Sequence, residues 1–323
     1  MTHIGLILFS TACARPPSEE PIRFVVAEGA GIGEVARLLA DSGLVRSSVA
    51  FVGYWKFVNR GISIESGPYY LPVGKPMGQL AQVFEAGPNV LRFVIYRGST
   101  TREISALAEQ HLGISRQDME RAISDRQLMR LVRARGPSLE GYLLPGVYYV
   151  NRNASAEDLV RQFVETFLDR WKDEWSLKAF QMGFSRDEVV TLASIIEGEI
   201  VLPEERDTVS SVYHNRLAND MPLQADPTVV YALGERRRLL NQDYRIDSPY
   251  NTYRNKGLPP GPIGQPTLAS IEAALFPAQT AFYYFVAADG SQHVFSETYE
   301  QHLSTIDELR QPSNETLVTP ESK

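Results

Sequence analysis

The sequence predicts an α+β protein in which short strand–helix units precede a larger mixed α/β domain built around one apolar helix. Three observations support this prediction. The first hundred residues repeat a pattern of a short apolar strand, a glycine and an amphipathic helix. Residues 185–199 have the pattern of a strongly apolar helix that ends in two glutamates. Residues 282–296 have the pattern of a β-hairpin.

The composition is that of an ordinary globular protein. The 323 residues are 43% hydrophobic and 22% charged, and 39 Asp and Glu against 32 Lys and Arg give a net charge of -7. Because a domain typically has about 100–200 residues, the length predicts about two domains. An acidic chain lacks the counterion release that drives non-specific binding of nucleic acid, so we expect no nucleic-acid partner.

The cysteine and histidine content argues against metal, disulfide and cofactor chemistry. Cys13 is the single cysteine, so no internal disulfide and no cysteine-based zinc site can form. The five histidines are scattered without a His-x-x-x-His spacing, and no glycine-rich phosphate loop of either common type is present. We therefore expect no metal, no cofactor and no bound nucleotide.

The first 21 residues have features of an export segment. Residues 4–9 are apolar, and a polar stretch with two prolines follows at residues 15–20. The apolar run is too short for a bilayer, which needs about 20 apolar residues, and it lacks the basic start of a signal peptide. The alternatives are the end of a membrane anchor that begins outside this chain, a poor lipidation motif with Cys13 as the lipidated residue, or a chance apolar run.

The strand–glycine–helix pattern repeats along the first third of the chain. The unit at residues 24–39 recurs at residues 93–107, and Gly29 is matched by Gly98 at an offset of 69 residues (98 − 29 = 69). A weaker third copy has its strand and glycine at residues 69–74. Units of this size cannot bury an apolar face alone, so we expect them to pack on one another.

Capping motifs and apolar spacing predict the remaining elements. Two capping boxes mark helix starts: Thr100 with Glu103, and Ser185 with Glu188. Residues 102–131 have helical spacing, and a further apolar stripe predicts one helix from about residue 155 to residue 177. Residues 139–150 predict a loop that leads into a strand, residues 257–264 a rigid loop of proline and glycine, and residues 268–275 a helix.

The helix that begins after Ser185 carries the most informative side chains. At 100° per residue its apolar residues form one stripe, with Glu197 at one edge and Glu199 at the opposite edge, so the two are not expected to face each other. Apolar neighbours disfavour the charged form of a carboxyl, and a general acid must hold its proton near neutral pH. The alternative is an ordinary half-exposed glutamate. Asp226 precedes a proline, which predicts a helix N-cap.

Several uncommon short sequence motifs occur along the chain. They are LEGYLLP at residues 139–145, ASIIEGE at 193–199, NRL at 215–217, MPLQADPTV at 221–229, YNTY at 250–253 and GLPPGPI at 257–263, with closing segments at 278–286 and 293–296. Together they resemble the YceG-like family of endolytic murein transglycosylases. The resemblance extends over roughly residues 22–309. It is specific, because these motifs occur in the same order as in the family.

The resemblance implies a domain organisation and a location. Residues 22–90 are expected to form a LysM-like module, and residues 91–310 a YceG-like catalytic domain with the apolar helix as its catalytic helix. The start of that domain, residues 91–110, resembles a second LysM-like copy, and residues 311–323 form a polar tail. The expected location is the inner cell membrane, to which the chain is tethered, with the catalytic domain facing the periplasm or cell wall. The expected partners are peptidoglycan strands and cell-wall synthases.

The resemblance also implies a chemistry, and it places the catalytic glutamate of the family at Glu197. The family stretch usually reads Glu-Lys-Glu-Thr where this chain has Glu-Gly-Glu-Ile, and we expect Gly198 to mark the helix end. The implied reaction cleaves the bond between N-acetylmuramic acid and N-acetylglucosamine inside glycan strands, closes a 1,6-anhydro ring and terminates strand elongation. Candidate substrate-binding or supporting residues are Glu199, Gln224, Asp226 and Asn251.

Two other functions are compatible with the sequence. One is a non-catalytic scaffold that binds peptidoglycan through the LysM-like copies alone. The other is a hydrolytic muramidase with Glu197 as the acid and Asp226 as the base, which is the arrangement of two carboxylates. Anhydro ends, reducing ends or no cleavage would distinguish the three functions.

Overall fold

The computed structural model describes residues 21–58, 63–288 and 292–310. The expected anchor segment with Cys13 and the expected polar tail lie outside these residues. The chain divides into two compact units. Of the described residues, those up to Arg92 and Tyr149–Asn153 form the smaller unit, and those of Phe93–Tyr148 and from Ala154 onward form the larger one.

The smaller unit is a two-stranded sheet with helices packed on an aromatic core. Its elements are β1 (Ile22–Val26), α1 (Ile32–Asp41), α2 (Ser48–Val58), β2 (Gly67–Leu71) and α3 (Met77–Glu85). β1 pairs with β2 in antiparallel register, and Phe24 lies opposite Tyr69. Both rings contact Phe84, as do Phe51 and Trp55, with ring centroids 4.8–6.2 Å from that of Phe84. The unit therefore has a core of its own.

The three predicted strand–glycine–helix units are all present. β1, β2 and β3 (Val90–Ile95) are each followed by a glycine in the left-handed region, where φ is 76° at Gly29, 69° at Gly74 and 66° at Gly98. A helix follows each of these turns. However, β1 pairs with β2, whereas β3 pairs with β4 (Gly146–Asn151). The strands of the first two copies thus pair with each other, whereas the strand of the copy at residues 93–107 pairs with β4.

The larger unit is mainly helical. The elements that follow β3 along the chain are α4 (Thr101–Leu112), α5 (Arg116–Ile123), α6 (Arg126–Val132), β4, α7 (Ala156–Arg170), α8 (Asp173–Gln181), α9 (Arg186–Glu199), α10 (Arg206–Ala218), α11 (Asp226–Leu233), α12 (Leu268–Leu275), β5 (Tyr284–Ala288), β6 (Gln292–Ser296) and α13 (Tyr299–Arg310). Single helical turns lie at Pro203–Glu205 and Asp243–Arg245.

The helices agree with the sequence prediction in one region and depart from it in two places. Residues 102–131 form three helices, α4 to α6, with cap residues between them. The helix predicted to reach residue 177 ends at Arg170, because Trp171 takes extended backbone angles (φ -75°, ψ 111°) before α8 begins. α13 had no sequence signal that we recognised. Both predicted capping boxes, at the starts of α4 and α9, are confirmed.

The predicted β-hairpin is present near the C-terminal end of the described residues. β5 pairs with β6 in antiparallel register, with Phe285 opposite Phe295, as the sequence predicts. The predicted turn at Asp289 and Gly290 lies outside the described residues. Among the residues that the structure describes, no helix has the length and hydrophobicity needed to cross a membrane.

α9 is the central helix of the larger unit. Asp187 and every residue from Val189 to Glu197 are buried, so the helix is enclosed on all sides. The predicted single apolar stripe is therefore too narrow, because α8, α10, α11 and α12 all pack against α9. A loop also closes on it at Gly141, where φ is +87° and a Cβ atom would lie 2.5 Å from Pro262 and 2.8 Å from Val190. A residue without a side chain is therefore required there.

We predict that Gly141→Ala destabilises the protein more than Gly183→Ala. Both positions have positive φ, but a Cβ atom at Gly183 would meet nothing within 4 Å. The control should lose about 1 kcal/mol from backbone strain, and Gly141→Ala about 1–3 kcal/mol more from overpacking. Thermal or urea unfolding measures the difference. Equal losses would show that the loop relaxes without cost.

Candidate functional site

A cleft of about 680 Å³ lies at the C-terminal end of α9. Its walls are the turn between β3 and α4, the last turns of α9, the start of α11, the segment after α11, and two residues of the proline–glycine loop. Glu197, Glu199 and Asp226 line the cleft, whereas Gln224 and Asn251 are not among its lining residues. The fold thus brings together three of the five predicted site residues.

The two carboxyl oxygens of Glu197 have different surroundings. The side chain is 0% exposed. Its Oε2 accepts three hydrogen bonds, from the backbone N–H of Thr267 at 2.9 Å, from the Thr267 hydroxyl at 2.6 Å and from the Ser270 hydroxyl at 2.7 Å. Its Oε1 has no hydrogen-bond partner among the described residues and lies 3.7 Å from Nη1 of Arg97. One oxygen is therefore fixed by three donors, and the other is left without a donor.

The donors to Glu197 come from the N-terminus of α12. Thr267 is the N-cap of this helix, and its hydroxyl accepts the backbone N–H of Ser270. A helix N-terminus stabilises negative charge, because its first N–H groups lack partners within the helix. Ser270 also accepts a hydrogen bond from Nε of Arg206 at 3.1 Å. These hydrogen bonds form a local network that holds the Glu197 carboxyl in one orientation.

Arg97 reaches Glu197 from the turn after β3. Its Nη2 also donates to the carbonyl oxygen of Ile200, the residue that ends α9, at 3.3 Å. The turn is fixed by Gln265, whose carbonyl oxygen accepts from the Gly98 N–H and whose N–H donates to the carbonyl of Ser99, both at 2.8 Å. The Arg97 side chain is 51% exposed, so it forms one movable wall beside a buried carboxyl.

Glu199 is half-buried and has partners of its own. The hydroxyl of Tyr213 donates to its Oε1 at 2.9 Å. Burial raises the pKa of Glu199 from 4.5 to about 7; the hydrogen bond from Tyr213 acts in the opposite direction, and the charge of Asp226 adds to the increase. Glu197 and Glu199 therefore share the cleft but are bound by different elements, α12 and α10.

The predicted capping role of Asp226 is wrong. The N-cap of α11 is Ala225, and Asp226 is the first helical residue. Its carboxylate instead accepts hydrogen bonds from the hydroxyl of Tyr253 at 2.6 Å and from the hydroxyl of Tyr244 at 3.3 Å. These two phenols hold the Asp226 side chain at the cleft.

Gln224 and Asn251 shape the backbone beside the cleft. Gln224 has a positive φ of 50°, and its N–H donates to the carbonyl of Thr252 at 3.1 Å. Asn251 is fully buried, and its Nδ2 donates to the carbonyls of Tyr244 and Ile246 at 3.0 Å. The Asn251 side chain therefore supports the loop that carries Tyr244 and Tyr253, whose hydroxyls donate to Asp226.

Gly198 allows α9 and α11 to approach closely. A Cβ atom on Gly198 would lie 2.7 Å from Cβ and 2.8 Å from Cγ of Pro227. The helix does not end at Gly198 as expected but continues through it to Glu199. The glycine thus permits contact between two walls of the cleft.

Sequence reasoning did not single out four residues that belong to this arrangement: Arg97, Glu140, Thr267 and Ser270. Glu140 also lines the cleft, and burial raises its pKa to about 7, against the hydrogen bonds from Thr101. Two sequence signals could have identified site residues. Glu140 is a charged residue within an otherwise apolar motif, and Thr267 directly precedes a predicted helix. Within the described part of the chain, no three His, Cys, Asp or Glu side chains are grouped so that they could hold a metal ion.

Comparisons with known proteins agree on one family. The YceG-like family matches residues 24–308. The "Endolytic murein transglycosylase" of Bacillus subtilis (strain 168) is 29% identical over 96% of this chain and 92% of its own length. The protein of the same name from Streptococcus pneumoniae (D39) is 27% identical, and the match spans 84% of this chain but 55% of that protein. The crystal structure of a YceG-like protein from Listeria monocytogenes has 30% identity and a TM-score of 0.62, over 89% of this chain and 99% of that one.

We predict that Glu199→Gln changes the pH dependence of stability. A carboxyl whose pKa is raised on folding stabilises the protein below its unfolded pKa, and this contribution is lost as the pH rises through the folded value of about 7. Relative to wild type, Glu199→Gln should therefore gain about 2–3 kcal/mol between pH 5 and pH 8. Urea unfolding at both pH values measures this, with the exposed Glu204→Gln as the control. A pH-independent difference would contradict the raised pKa.

Proposed function

Since this chain belongs to the YceG-like family, we propose that it is an endolytic murein transglycosylase, which cleaves peptidoglycan inside its glycan strands. Relatives from two bacteria that match most of this chain carry that name. The observation that carries the proposal is the asymmetry of Glu197. One carboxyl oxygen accepts three hydrogen bonds, the other has no hydrogen-bond partner among the described residues, and Glu197 is one of the residues that line the cleft. This is the arrangement that a single acid–base group needs.

The proposed reaction uses Glu197 twice. Oε1 first gives its proton to the oxygen that links N-acetylmuramic acid to N-acetylglucosamine, and the bond from that oxygen to the anomeric carbon breaks. The ionised carboxyl then takes the proton of the C6 hydroxyl, whose oxygen bonds to the anomeric carbon and closes the 1,6-anhydro ring. The proton returns to Glu197, and no water is consumed. The donors on Oε2 stabilise the negative charge that exists between the two steps.

Arg97 controls access to the proton in this proposal. Because the Glu197 side chain is 0% exposed, a glycosidic oxygen can reach Oε1 only if a neighbouring side chain moves. Arg97 is the half-exposed neighbour at 3.7 Å, and its long side chain can swing toward solvent.

A hydrolytic muramidase is the second candidate, because other carboxyls line the same cleft. Glu140, Glu199 and Asp226 are all lining residues, and a hydrolase needs a second carboxylate to activate water. Asp226 is bound by two tyrosine hydroxyls, which weakens it as a base, and this favours the transglycosylase. The third function, a scaffold without catalysis, leaves the buried network on Glu197 without a role.

Two further expectations remain proposals. We propose that residues 22–90 are a LysM-like, glycan-binding module; the order β1–α1–α2–β2 and the antiparallel β1–β2 pair support this. Co-sedimentation with insoluble peptidoglycan should weaken when these residues are deleted.

We also propose that the chain is tethered to the cell membrane with the larger unit outside the cytoplasm, where it meets cell-wall synthases. Recovery of the native protein in the soluble cytosol would contradict this location.

We predict that Glu197→Gln lowers activity on peptidoglycan strands by at least about 100-fold, the scale of a lost general acid–base group. The amide keeps the size of the side chain but has no acidic proton to transfer to the glycosidic oxygen. Glu199→Gln should lose less activity, because the Tyr213 hydroxyl already occupies an oxygen of Glu199. The assay is release of soluble fragments, with Glu204→Gln as the matched control. Near-normal turnover by Glu197→Gln would refute the assignment.

The products discriminate between the two enzymes. A C6 hydroxyl held by the sugar ring attacks with an effective concentration on the order of 10⁵ M or more, ahead of water at about 55 M. We therefore predict 1,6-anhydromuramic ends on internally cut strands, without incorporation of heavy oxygen from ¹⁸O-labelled water. Mass spectrometry of the fragments provides the measurement. Labelled reducing ends would establish a hydrolase and direct attention to Asp226.

A further inference from the structure

Glu140 and Gln265 form a buried pair beside the cleft that the proposed reaction does not use. Glu140 is 4% exposed and Gln265 is 0% exposed, and Nε2 of Gln265 donates to Oε1 of Glu140 at 2.6 Å. A buried carboxyl is unfavourable unless donors meet it. A pair of this kind inside a densely packed region therefore calls for an explanation beyond packing.

The pair connects three separate segments of the larger unit. Glu140 accepts hydrogen bonds from the backbone N–H of Thr101, at 3.0 and 3.2 Å to its two oxygens, and from the Thr101 hydroxyl at 2.9 Å. Oε1 of Gln265 accepts the N–H of Leu143 at 2.8 Å. The backbone of Gln265 is bonded to residues 98–99 on both sides. The start of α4, the loop at residues 140–143 and the segment before α12 are thereby fixed to one another.

Two of these segments carry the groups that surround Glu197. Arg97 directly precedes the residues bonded to Gln265 and lies 3.7 Å from Oε1. Thr267 is two residues after Gln265 and donates twice to Oε2. A change in the Glu140–Gln265 pair would therefore displace the neighbours of both oxygens together.

We propose that Glu140 and Gln265 are positioning residues that fix the backbone turn carrying Arg97, and the position of Thr267, beside the two oxygens of Glu197. This proposal rests on the proposed function of Glu197 as the acid–base group. It assigns no contact with the sugar to either residue. Their effect on the reaction is geometric, and a misplacement of about 1 Å in an active site can cost about 100-fold in rate.

One member of the pair donates a hydrogen bond and the other accepts it, so exchanging the two side chains tests the proposal. The N–H groups of Thr101 and Gln265 both donate to Glu140, so Glu140→Gln places an amide N–H against a donor. Gln265→Glu places two carboxyls against each other. When both changes are combined, an amide again donates to a carboxylate, and the N–H groups of Thr101 and Leu143 again meet acceptors. The exchanged pair has the same composition and the same net charge as the original.

The first measurement is the rate on peptidoglycan strands. We expect kcat to fall by about 10- to 100-fold in Glu140→Gln and in Gln265→Glu, with KM unchanged, and to recover in the double exchange. The double variant Glu120→Gln with Gln127→Glu makes the same exchange at exposed positions on α5 and α6 and should match wild type. Full activity in both single variants would overturn the proposal. So would a folded double exchange that stays as inactive as the single variants.

The second measurement does not depend on cleavage. Hydrogen–deuterium exchange should become at least about 10-fold faster for the amides of residues 98, 265 and 267 in each single variant. The double exchange should restore their protection, and the core of the smaller unit should stay protected throughout. Unchanged protection in the single variants would overturn the positioning role. If the wild-type chain cleaves no strands, the proposed function fails, and this measurement still decides whether the pair holds the site.

Discussion

The burial of one carboxyl at the end of an apolar helix is the constraint on which the larger unit depends. α9 is enclosed on all sides through Glu197, so the carboxyl cannot be solvated and must find its donors within the protein. The N-terminus of α12 supplies them, and this requires Thr267 and Ser270 to lie against the last turn of α9. The packing of α9 against α12 is thus fixed by a polar requirement as much as by apolar contacts.

The local elements were predictable from the sequence because their signals are local. Capping boxes fixed the starts of α4 and α9, and left-handed glycines followed by helices fixed the three repeated units. The β5–β6 hairpin followed from apolar runs on either side of a turn. The end of α7 was missed, because the apolar stripe continues through Trp171 while the backbone leaves the helix. Periodicity reports which face is buried, and it does not report where the chain turns.

The site was only partly predictable, because burial is a property of the assembled unit. A helical wheel treats α9 as lying on a surface and places Glu197 at an edge, but four other helices cover it. Asp226 illustrates the same limit: the Asp-Pro pattern favours a cap, but Tyr244 and Tyr253 come from a distant loop and take the carboxylate. Arg97 and Glu140 are separated from Glu197 by long stretches of sequence, and no spacing rule connects them.

The close contact of Gly198 with Pro227 has a consequence for ligand design. Two walls of the cleft meet where one carries no side chain, with a Cβ position 2.7 Å from the proline ring. A side chain at this position would have to separate the same two walls, so a cleft built around a larger residue would differ there in its backbone as well as its side chains. An inhibitor shaped on such a cleft would therefore carry the wrong width at this point. Compounds for this protein need a template in which the glycine is already present.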